Sequence, residues 1–432
     1  RTDLGEQAPP LTAIPRTGPI PLSFAQQRLW VLAQLEPDST AYHIPIALRV
    51  RGALDAGALE RSIHEVVRRH ESLRTKFQRL NGVPMQVIGP PQPLSIPLID
   101  LQHLPDERRE QAAIRLAAVE AERPFDLRYG PLLRVSLIRL RSHEHLLLVT
   151  LHHIVSDAWS SHLLVKELTE VYDASVAGRP SSLPDLPLQY ADIAQWQRAW
   201  LSGRILEREL TFWTDVLGGE LPVLDLPTDR PRPAVQTSRG AIITSTIGPG
   251  LAADLKTLSR QTGATLYMTL LSAFFMLLAR ETEQSDLIVG TPIANRTRKE
   301  TEALIGFFVN TLAIRTMVYQ EATLSEVITA VREACLEAYA HQDLPFEKLV
   351  DVLHPSRDVS RSPIFQVMFD LQNAPMAELQ VTGLEFEPLE IENTTAKFDL
   401  SMTVQEADGG VILGLEYNSD LFDATTITRL LE

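Results

Sequence analysis

The stretch Leu146–Ser160, LLLVTLHHIVSDAWS, organises the rest of the chain. Its first six residues form an apolar run typical of a buried strand, and this run leads into His152 and His153. Side chains alternate faces along a strand, so the two imidazoles point to opposite sides while the strand lasts. An imidazole at the end of a buried strand, with the carboxylate of Asp157 one loop away, indicates a proton-handling site.

Composition and charge limit the possible functions. At 432 residues the chain is expected to form two lobes, and its net charge of −15 argues against a nucleic-acid or anionic-membrane partner. The single cysteine, Cys335, excludes a disulfide framework and a cysteine zinc site. Without a signal peptide or an 18-residue apolar run, the sequence predicts a soluble, cytoplasmic protein. The Pro-rich start and a last helical pattern running to Glu432 suggest a piece of a longer polypeptide.

Hydrophobic periodicity predicts an α+β chain divided by a break in the pattern at 179–187. The predicted organisation is an N-terminal linker (1–20), a first lobe (21–180), a connecting segment (181–217) and a second lobe (218–432). Helices are predicted over 24–35, 55–77, 102–122, 188–217, 251–263, 267–278 and 324–340, with a further helix after the histidines that stops at Gly178. Strands are predicted over 42–50, 85–88, 132–140, 145–151, 241–247, 287–290, 364–371, 398–404 and 411–417, the last two joined by a turn at 408–410.

The two halves of the sequence echo each other. VTLHHIVSDAWSSHLLVKEL in the first half is similar to ILGLEYNSDLFDATTITRLL in the second. Asp157 then has a counterpart in Asp420 or Asp423, while Glu416 and Tyr417 stand where the histidines would be. We interpret this as a degenerate internal duplication in which one copy keeps the chemistry. The cleft between two such halves is the expected place for a site.

Seven stretches of the chain carry recognisable motifs in a fixed order. They are SFAQQRLWVL (Ser23–Leu32), RHESLRTKF (Arg69–Phe77), HHIVSDAWS (His152–Ser160), YADIAQW (Tyr190–Trp196), IGFFVNT (Ile305–Thr311), HQDLPFEKLV (His341–Val350) and RDVSRSPIFQVMF (Arg357–Phe369). Over nearly its whole length the chain therefore resembles the condensation domain of nonribosomal peptide synthetases. Acyltransferases of several kinds share HHxxxD, so the ordered set carries the resemblance rather than that motif alone.

The resemblance implies a fold and partners. The fold is α+β, with two chloramphenicol acetyltransferase-like lobes in a V-shaped arrangement and His153 midway along a central tunnel. Upstream donor and downstream acceptor peptidyl carrier domains present thioesters on phosphopantetheine arms, beside an adenylation domain of the same synthetase. No cofactor binds directly, and the excised domain is expected to be monomeric. The acceptor amine attacks the donor thioester, and an amide bond forms.

The motif residues differ in their expected roles. His153 is the catalytic candidate, as general base or as positioner of the amine, since a neutral imidazole can accept the proton of an α-ammonium group. Strand alternation makes His152 structural. Asp157 either orients His153, as in a triad, or forms a structural salt bridge. The resemblance favours the salt bridge, to Arg69 or Arg74.

Four further residues are candidates for the wall of the tunnel: Ala158, Ser160, Asn310 and Ser23. The family usually has Gly at the position of Ala158, where it serves a positive φ or close approach of a ligand arm. Ala there opens two alternatives to ordinary condensation, a starter domain taking a fatty acyl group and a variant that dehydrates the joined residue. The Asn310 amide either contacts the thioester or pantetheine arm or is a satisfied core group. Trp159 and Ser160 also begin a helix, where packing and capping are their simplest roles.

The basic residues Arg357, Arg361 and Arg296–Lys299 either meet an acidic carrier surface or phosphate, or are solvated charge. His341 is expected to be structural. A metal site made of His152, His153 and Asp157 is rejected, because adjacent strand histidines face opposite ways and no third neutral ligand is suitably spaced.

Ser23 and Ser160 lack the surroundings of an activated nucleophile. A function of another class, a non-catalytic docking module, stays open, although the intact HHxxxD motif argues against it.

Overall fold

The computed structural model describes residues 8–353, 358–372, 381, 383–389, 395–407 and 409–432. Two units can be distinguished. The first is formed by the described parts of Arg1–Ser202, Arg296–Phe308 and Ala374–Glu392, and the second by those of Gly203–Asn295, Val309–Asn373 and Asn393–Glu432. Two segments from the second half of the chain thus belong to the first unit, whereas the sequence predicted two uninterrupted lobes. The V-shaped arrangement and the tunnel stay predictions.

The strands of the first unit are β1 (Ile20–Pro21), β2 (His43–Gly52), β3 (Thr75–Leu80), β4 (Val83–Ile88), β5 (Leu98–Asp100), β6 (Leu133–Arg141), β7 (Glu144–His152) and β12 (Leu384–Pro388). Five of these strands form the main sheet in the order β12-β2-β7-β6-β5, in which β5 is parallel to β6 and the other pairs are antiparallel. The helices of this unit are α1 (Phe24–Leu35), α2 (Ala56–Arg69), α3 (Asp106–Ala121), α4 (Ala158–Val176) and α5 (Tyr190–Trp200).

Apolar cores lie on both faces of this sheet, which explains why β7 is apolar at consecutive positions. Leu147, Val149 and Leu151 pack into the core formed with α2 and α4. Leu146 and Leu148 pack on the opposite face, into the core formed with α3. By the same alternation His152, the last residue of β7, belongs to the face of Leu146 and Leu148, and His153 follows the strand.

The predicted helix over 55–77 is wrong in its last eight residues, 70–77. Helix α2 ends at Arg69 because His70 adopts an extended backbone (φ −104°, ψ 108°), and the 3-10 turn Glu71–Arg74 follows. Strand β3 then pairs with β4 in a separate three-stranded sheet of order β1-β4-β3. Similarly, the predicted helix over 188–217 is two helices, with a break at Gly203, whose φ of +53° lies in the left-handed region.

The strands of the second unit are β8 (Gly240–Ile247), β9 (Asp286–Ile293), β10 (Asn310–Met317), β11 (Val367–Gln372), β13 (Leu400–Ala407) and β14 (Gly410–Asn418). They form a six-stranded sheet with the order β10-β9-β11-β13-β14-β8. The helices of this unit are α6 (Gly203–Leu217), α7 (Pro249–Gln261), α8 (Leu266–Thr282), α9 (Leu324–Ala340), α10 (Phe346–Leu353) and α11 (Ala424–Leu431). The predicted turn between β13 and β14 includes Asp408, which lies outside the described residues.

Helix α8 supplies much of the core of the second unit, as its almost continuous apolar sequence requires. In the described part of the chain, no single helix is long and apolar enough to cross a membrane. Together α7 and α8 have a suitable length and composition, but this pair is bent by 103°.

The two sheets share a common arrangement, in agreement with the predicted duplication. In each, an antiparallel hairpin (β6–β7 or β13–β14) pairs with an earlier strand on one side (β2 or β8) and a parallel strand on the other (β5 or β11). Asn418 ends β14 as His152 ends β7, and Asp423 precedes α11 as Asp157 precedes α4. The counterparts of the histidines are therefore Asn418 and Ser419 rather than the predicted Glu416 and Tyr417.

Candidate active site

His153 lies immediately after the central strand β7, on the 3-10 turn His153–Val155 that leads to α4. Its backbone N–H donates to the carbonyl of Tyr42 at 2.8 Å, which fixes the start of the turn. The residue is half-buried, and its ring lies 5.0 Å from the ring of Phe307, centroid to centroid, at an interplanar angle of 65°. The turn thus holds His153 by its backbone, and Phe307 contacts its ring.

His152 is buried on the other side of the turn. Its Nδ1 accepts a hydrogen bond from the backbone N–H of Ile154 at 3.0 Å, which caps the turn. Its ring lies edge-on to the rings of His43 and Phe125. These contacts agree with the structural role expected for His152.

Asp157 is almost completely buried and caps the N-terminus of α4. Its Oδ1 accepts from the N–H of Ser160 at 2.8 Å, and its Oδ2 accepts from the N–H of Phe308 at 2.9 Å. The cation beside it is Arg296, whose Nη2 lies 3.3 Å from Oδ1. The expectation of an arginine partner is therefore right in kind, but the predicted partners Arg69 and Arg74 are wrong.

Arg69 has a different buried carboxylate as its partner. Its guanidinium donates to both oxygens of Glu167 on α4, and His70 Nε2 lies 2.9 Å from the same carboxylate. Burial opposes ionisation of Glu167, but the hydrogen bonds from His70 and Arg69 outweigh it and lower its pKa. Arg74 donates to the carbonyl of Gly89. Both arginines are thus occupied within the packing of α2, α4 and the small sheet.

Ser160 was a candidate for the tunnel wall, but its hydroxyl is fully buried and engaged. It donates to the carbonyl of Gly306 at 2.8 Å and accepts from the N–H of Gly306 at 3.1 Å and from Arg296 at 2.7 Å. The neighbouring Trp159 is 42% exposed, and its indole N–H donates to the carbonyl of Glu302 at 3.0 Å. Both residues therefore connect the start of α4 to residues 302–306.

Arg296, proposed as part of a basic surface, instead points inward. Its side chain is 2% exposed, and its guanidinium lies 3.9 Å from the centre of the Phe308 ring. Burial lowers the pKa of this guanidinium, and the adjacent Asp157 opposes the shift. Arg361 lies 3.7 Å from Asp358. Arg357 lies outside the described residues.

Residues 305–308, which we call the anchored segment, are held by side chains from several elements of the first unit. Sequence reasoning treated this stretch only as a motif, because nothing in its composition indicates that its backbone is bound in this way. The partners of its backbone groups are His70 Nδ1 for Ile305 N–H, Ser72 for Ile305 C=O, Ser160 for both groups of Gly306, Tyr190 for Phe307 C=O and Asp157 for Phe308 N–H.

Ser23 and Asn310, also candidates for the wall of the predicted tunnel, have structural partners. Ser23 caps α1 by accepting from the N–H of Gln26, and its hydroxyl lies 2.9 Å from that of Tyr190. The Asn310 amide donates to the carbonyls of Gln342 and Leu344 and accepts from the N–H of Phe346. Of the two interpretations of Asn310, the satisfied core amide is the one that its contacts fit.

Ala158 is the first residue of α4, and its side chain is exposed. It does not belong to the described residues with positive φ, so the backbone here does not require glycine. His341, expected to be structural, caps α9, contacts Glu209 through Nδ1 at 2.8 Å and stacks on Phe212. Across the described ranges, no group of three His, Cys, Asp or Glu side chains is arranged to hold a metal ion.

Comparison with known proteins identifies the family. The model of the condensation domain family matches residues 17–432. The chain belongs to the condensation-domain family. The resemblance seen in the seven motifs is thereby confirmed.

Relatives of this condensation domain are parts of peptide synthases. It is 51% identical to a linear gramicidin synthase of Brevibacillus parabrevis over 423 residues, which make up 98% of this chain but only 6% of that protein. The X-domain in a solved complex of the X-domain and OxyB from teicoplanin biosynthesis is 31% identical, with a TM-score of 0.88 over 98% of this chain and 93% of that one. The first condensation domain of the calcium-dependent antibiotic synthetase, solved with a substrate analogue, shares the α+β fold at 21% identity, with a TM-score of 0.80 over 96% of this chain and 94% of that one.

Proposed function

We propose that this condensation domain joins a donor acyl or peptidyl group to an acceptor aminoacyl group, each held as a thioester on a carrier domain. The acceptor nitrogen bonds to the thioester carbonyl carbon, the carbon–sulfur bond breaks, and the departing sulfur takes the proton that the amine loses. His153 accepts that proton in transit or holds the amine in place. No acyl-enzyme is needed, because one amine displaces one thiol directly.

The position of His153 carries this proposal. The other polar side chains of the HHxxxD region hold backbone groups: His152 caps the 3-10 turn, and Asp157 binds the N–H groups of Ser160 and Phe308. His153 follows the strand directly and is half-buried, whereas His152 and Asp157 are buried. It is therefore the residue of the motif that is best placed to meet a substrate.

The partners in this proposal are a donor and an acceptor carrier domain, each with a phosphopantetheine arm, in a longer synthetase that also contains an adenylation domain. Membership of the family and similarity to a much longer peptide synthase support these partners. The monomeric state of the excised domain and the cytoplasmic location stay predictions.

The decisive experiment removes the imidazole. With both carriers loaded, we expect His153→Ala to lower the single-turnover rate of amide formation by roughly 10²–10⁴-fold. His103→Ala is the matched control, because His103 is an exposed histidine of the turn before α3. Circular dichroism melting of both variants checks the fold. A wild-type rate for folded His153→Ala would refute the proposal.

We propose ordinary condensation over the starter and dehydrating variants because the backbone at Ala158 does not have a positive φ and therefore does not require glycine. A competition between donors tests this choice. We expect an aminoacyl or peptidyl donor to be consumed before a fatty acyl donor, with an unmodified acceptor residue in the product. Preference for the fatty acyl donor would establish the starter function, and loss of water from a Ser or Thr residue the dehydrating one.

A second candidate function is recruitment of a partner protein, because the solved X-domain relative is in complex with OxyB. This candidate predicts partner binding that is unaffected by His153→Ala and no amide product from loaded carriers. Condensation predicts the opposite result for the product, so the same assay separates the two.

A further inference from the structure

We propose that Phe307 is a positioning residue, whose ring sets the orientation of the His153 imidazole for amide-bond formation. This inference rests on the proposed function, since it assigns a role in the same reaction. It concerns a residue outside the HHxxxD motif and 154 positions further along the chain (307 − 153 = 154).

The contact itself is the first support. The two ring centroids are 5.0 Å apart at an angle of 65°, which is the edge-to-face geometry that aromatic pairs prefer. Both residues are half-buried, so neither is enclosed by the protein. The contact between the two rings limits the rotation of each. Phe307 also packs against the apolar cluster containing Ile154 and Val155, the two residues that complete the turn carrying His153. The ring of Phe307 therefore contacts the imidazole and packs against the apolar cluster that contains the rest of the turn carrying His153.

The anchored segment fixes the backbone on both sides of Phe307. Gly306 is bound through both its backbone groups by Ser160, and the N–H of Phe308 is bound by Asp157. The carbonyl of Phe307 itself lies 2.5 Å from the hydroxyl of Tyr190. With the Cα position held in this way, the remaining freedom of Phe307 lies in its side-chain torsions, which the apolar cluster restricts.

Both oxygens of Asp157 hold groups other than the His153 ring, since they accept from Ser160, Phe308 and Arg296. The same carboxylate, however, holds the residue next to Phe307. The motif acid therefore acts on the histidine through the anchored segment, and the aromatic ring makes the final contact. This link gives Asp157 an effect on catalysis without a hydrogen bond to the imidazole.

The test compares three variants in the full chain. Phe307→Leu keeps an apolar side chain but removes the ring, and Phe307→Tyr keeps the ring. We expect Phe307→Leu to lower kcat by about 10–100-fold with KM for the loaded acceptor carrier little changed, as for a misplaced catalytic group. Phe307→Tyr should have a kcat close to that of the wild type, because it keeps the ring. The control is Phe308→Leu, which removes a ring that packs on Tyr190 and Arg296 instead.

A spectroscopic measurement separates positioning from general stability. In protein with labelled histidine, the imidazole resonance of His153, assigned by its loss in His153→Ala, should shift in Phe307→Leu because the neighbouring ring current disappears. It should stay in place in Phe308→Leu even when the melting temperature falls. Should Phe307→Leu fail to fold, Phe307→Met, which is also apolar and lacks the ring, is held to the same outcomes.

The inference is overturned by an unchanged kcat in folded Phe307→Leu, by a rise in KM at constant kcat, or by an unshifted His153 resonance. These results are distinct from failure of the proposed function. If His153→Ala reacts at the wild-type rate, condensation by His153 fails, whereas the resonance shift still reports whether the Phe307 ring contacts the imidazole.

Discussion

At the scale of single residues, the carboxylate of Asp157 holds two parts of the backbone at once. One oxygen caps α4 through Ser160, and the other binds the anchored segment through Phe308, with Arg296 balancing the charge. Removing one partner of a buried ion pair leaves the other charge uncompensated. Loss of the Asp157 carboxylate therefore destabilises the fold, although Asp157 belongs to the HHxxxD motif.

We expect Asp157→Ala to lower the free energy of unfolding by about 3–5 kcal/mol, because Arg296 is left buried without its counter-ion. Asp157→Asn should lose less stability than Asp157→Ala, since its amide oxygen can still cap α4. It should still be less stable than the wild type, because its NH₂ group faces the N–H of Phe308. Urea unfolding of both variants measures the difference. A variant Asp157→Ala with wild-type stability and no activity would instead assign the carboxylate to the reaction.

Glu167 gives the first unit an acid-sensitive contact. Its pKa is lower in the folded chain than in the unfolded chain, so its ionised form contributes stability that is complete above the unfolded-state pKa of about 4.3. That contribution disappears as the pH falls through the folded-state pKa. We expect the stability difference between wild type and Glu167→Gln to be large at pH 7 and to shrink in this acid range. Urea unfolding of both proteins as a function of pH measures this stability difference. A difference that stays constant with pH would show that it does not come from the ionised Glu167 carboxylate.

Residue-level prediction from the sequence succeeded where the cause is local. The apolar run of β7 predicted a buried strand that leads to the histidines, and β7 indeed ends at His152, with His153 on the turn that follows. Prediction failed for the partner of Asp157, since Arg296 lies 139 positions away and no spacing links them. The contacts of the tunnel candidates Ser23, Ser160 and Asn310 were not predicted for a related reason: a polar residue in a motif can serve the backbone as readily as a ligand.

At the scale of secondary structure elements, the anchored segment depends on the absence of a side chain at Gly306. A Cβ atom there would lie 2.0 Å from the ring of Tyr190, much closer than real contacts allow. The ring of Tyr190 thus lies directly on the backbone of Gly306 while its hydroxyl reaches the carbonyl of Phe307. Helix α5 and the segment can approach this closely only with glycine at 306.

We expect Gly306→Ala to lower the melting temperature and the rate of amide formation together, because either Tyr190 or the segment must move. Gly250→Ala is the matched control: its Cβ would meet nothing within 4 Å, and it lies in the first turn of α7. There the change should be neutral or stabilising by up to about 1 kcal/mol. Thermal melts compare the two, and equal melting temperatures would contradict the packing argument.

Elements with a clear local signal were predicted well, and those set by distant contacts were not. The bounds of α1 and α9 agree with prediction, since each begins with a capping box and carries a continuous apolar face. The end of α2 was missed because the residues that follow it pair with β4, a contact that periodicity cannot reveal. Strand β12 joins β2 at the edge of the first sheet although it is more than 300 positions away, and it was not predicted at all.

At the scale of the whole molecule, the first unit is discontinuous in sequence. Residues 296–308 return to it after the chain has entered the second unit. The side chains that bind the anchored segment are Ser72, His70, Asp157, Ser160 and Tyr190. Without residues 296–308, the buried hydroxyls of Ser72 and Ser160 lose the partners described above. A buried polar group left without a partner costs about 1–3 kcal/mol.

We therefore expect a fragment of residues 8–202 to lack cooperative folding on its own. Adding a peptide of residues 296–308 in trans should restore part of the structure, because the peptide supplies the missing hydrogen-bond partners. Urea unfolding and proton NMR dispersion measure both states. A fragment that unfolds cooperatively without the peptide would show that the sheet and its two cores suffice.

Recognition of backbone groups by side chains has a consequence for engineering. Because the anchored segment is held through its N–H and C=O groups, these hydrogen bonds do not depend on which side chain stands at 307. An apolar replacement there keeps the backbone contacts and alters the packing on His153 and on the cluster that contains Ile154 and Val155. A library of apolar residues at this one codon would therefore tune the reaction centre while the backbone hydrogen bonds stay in place.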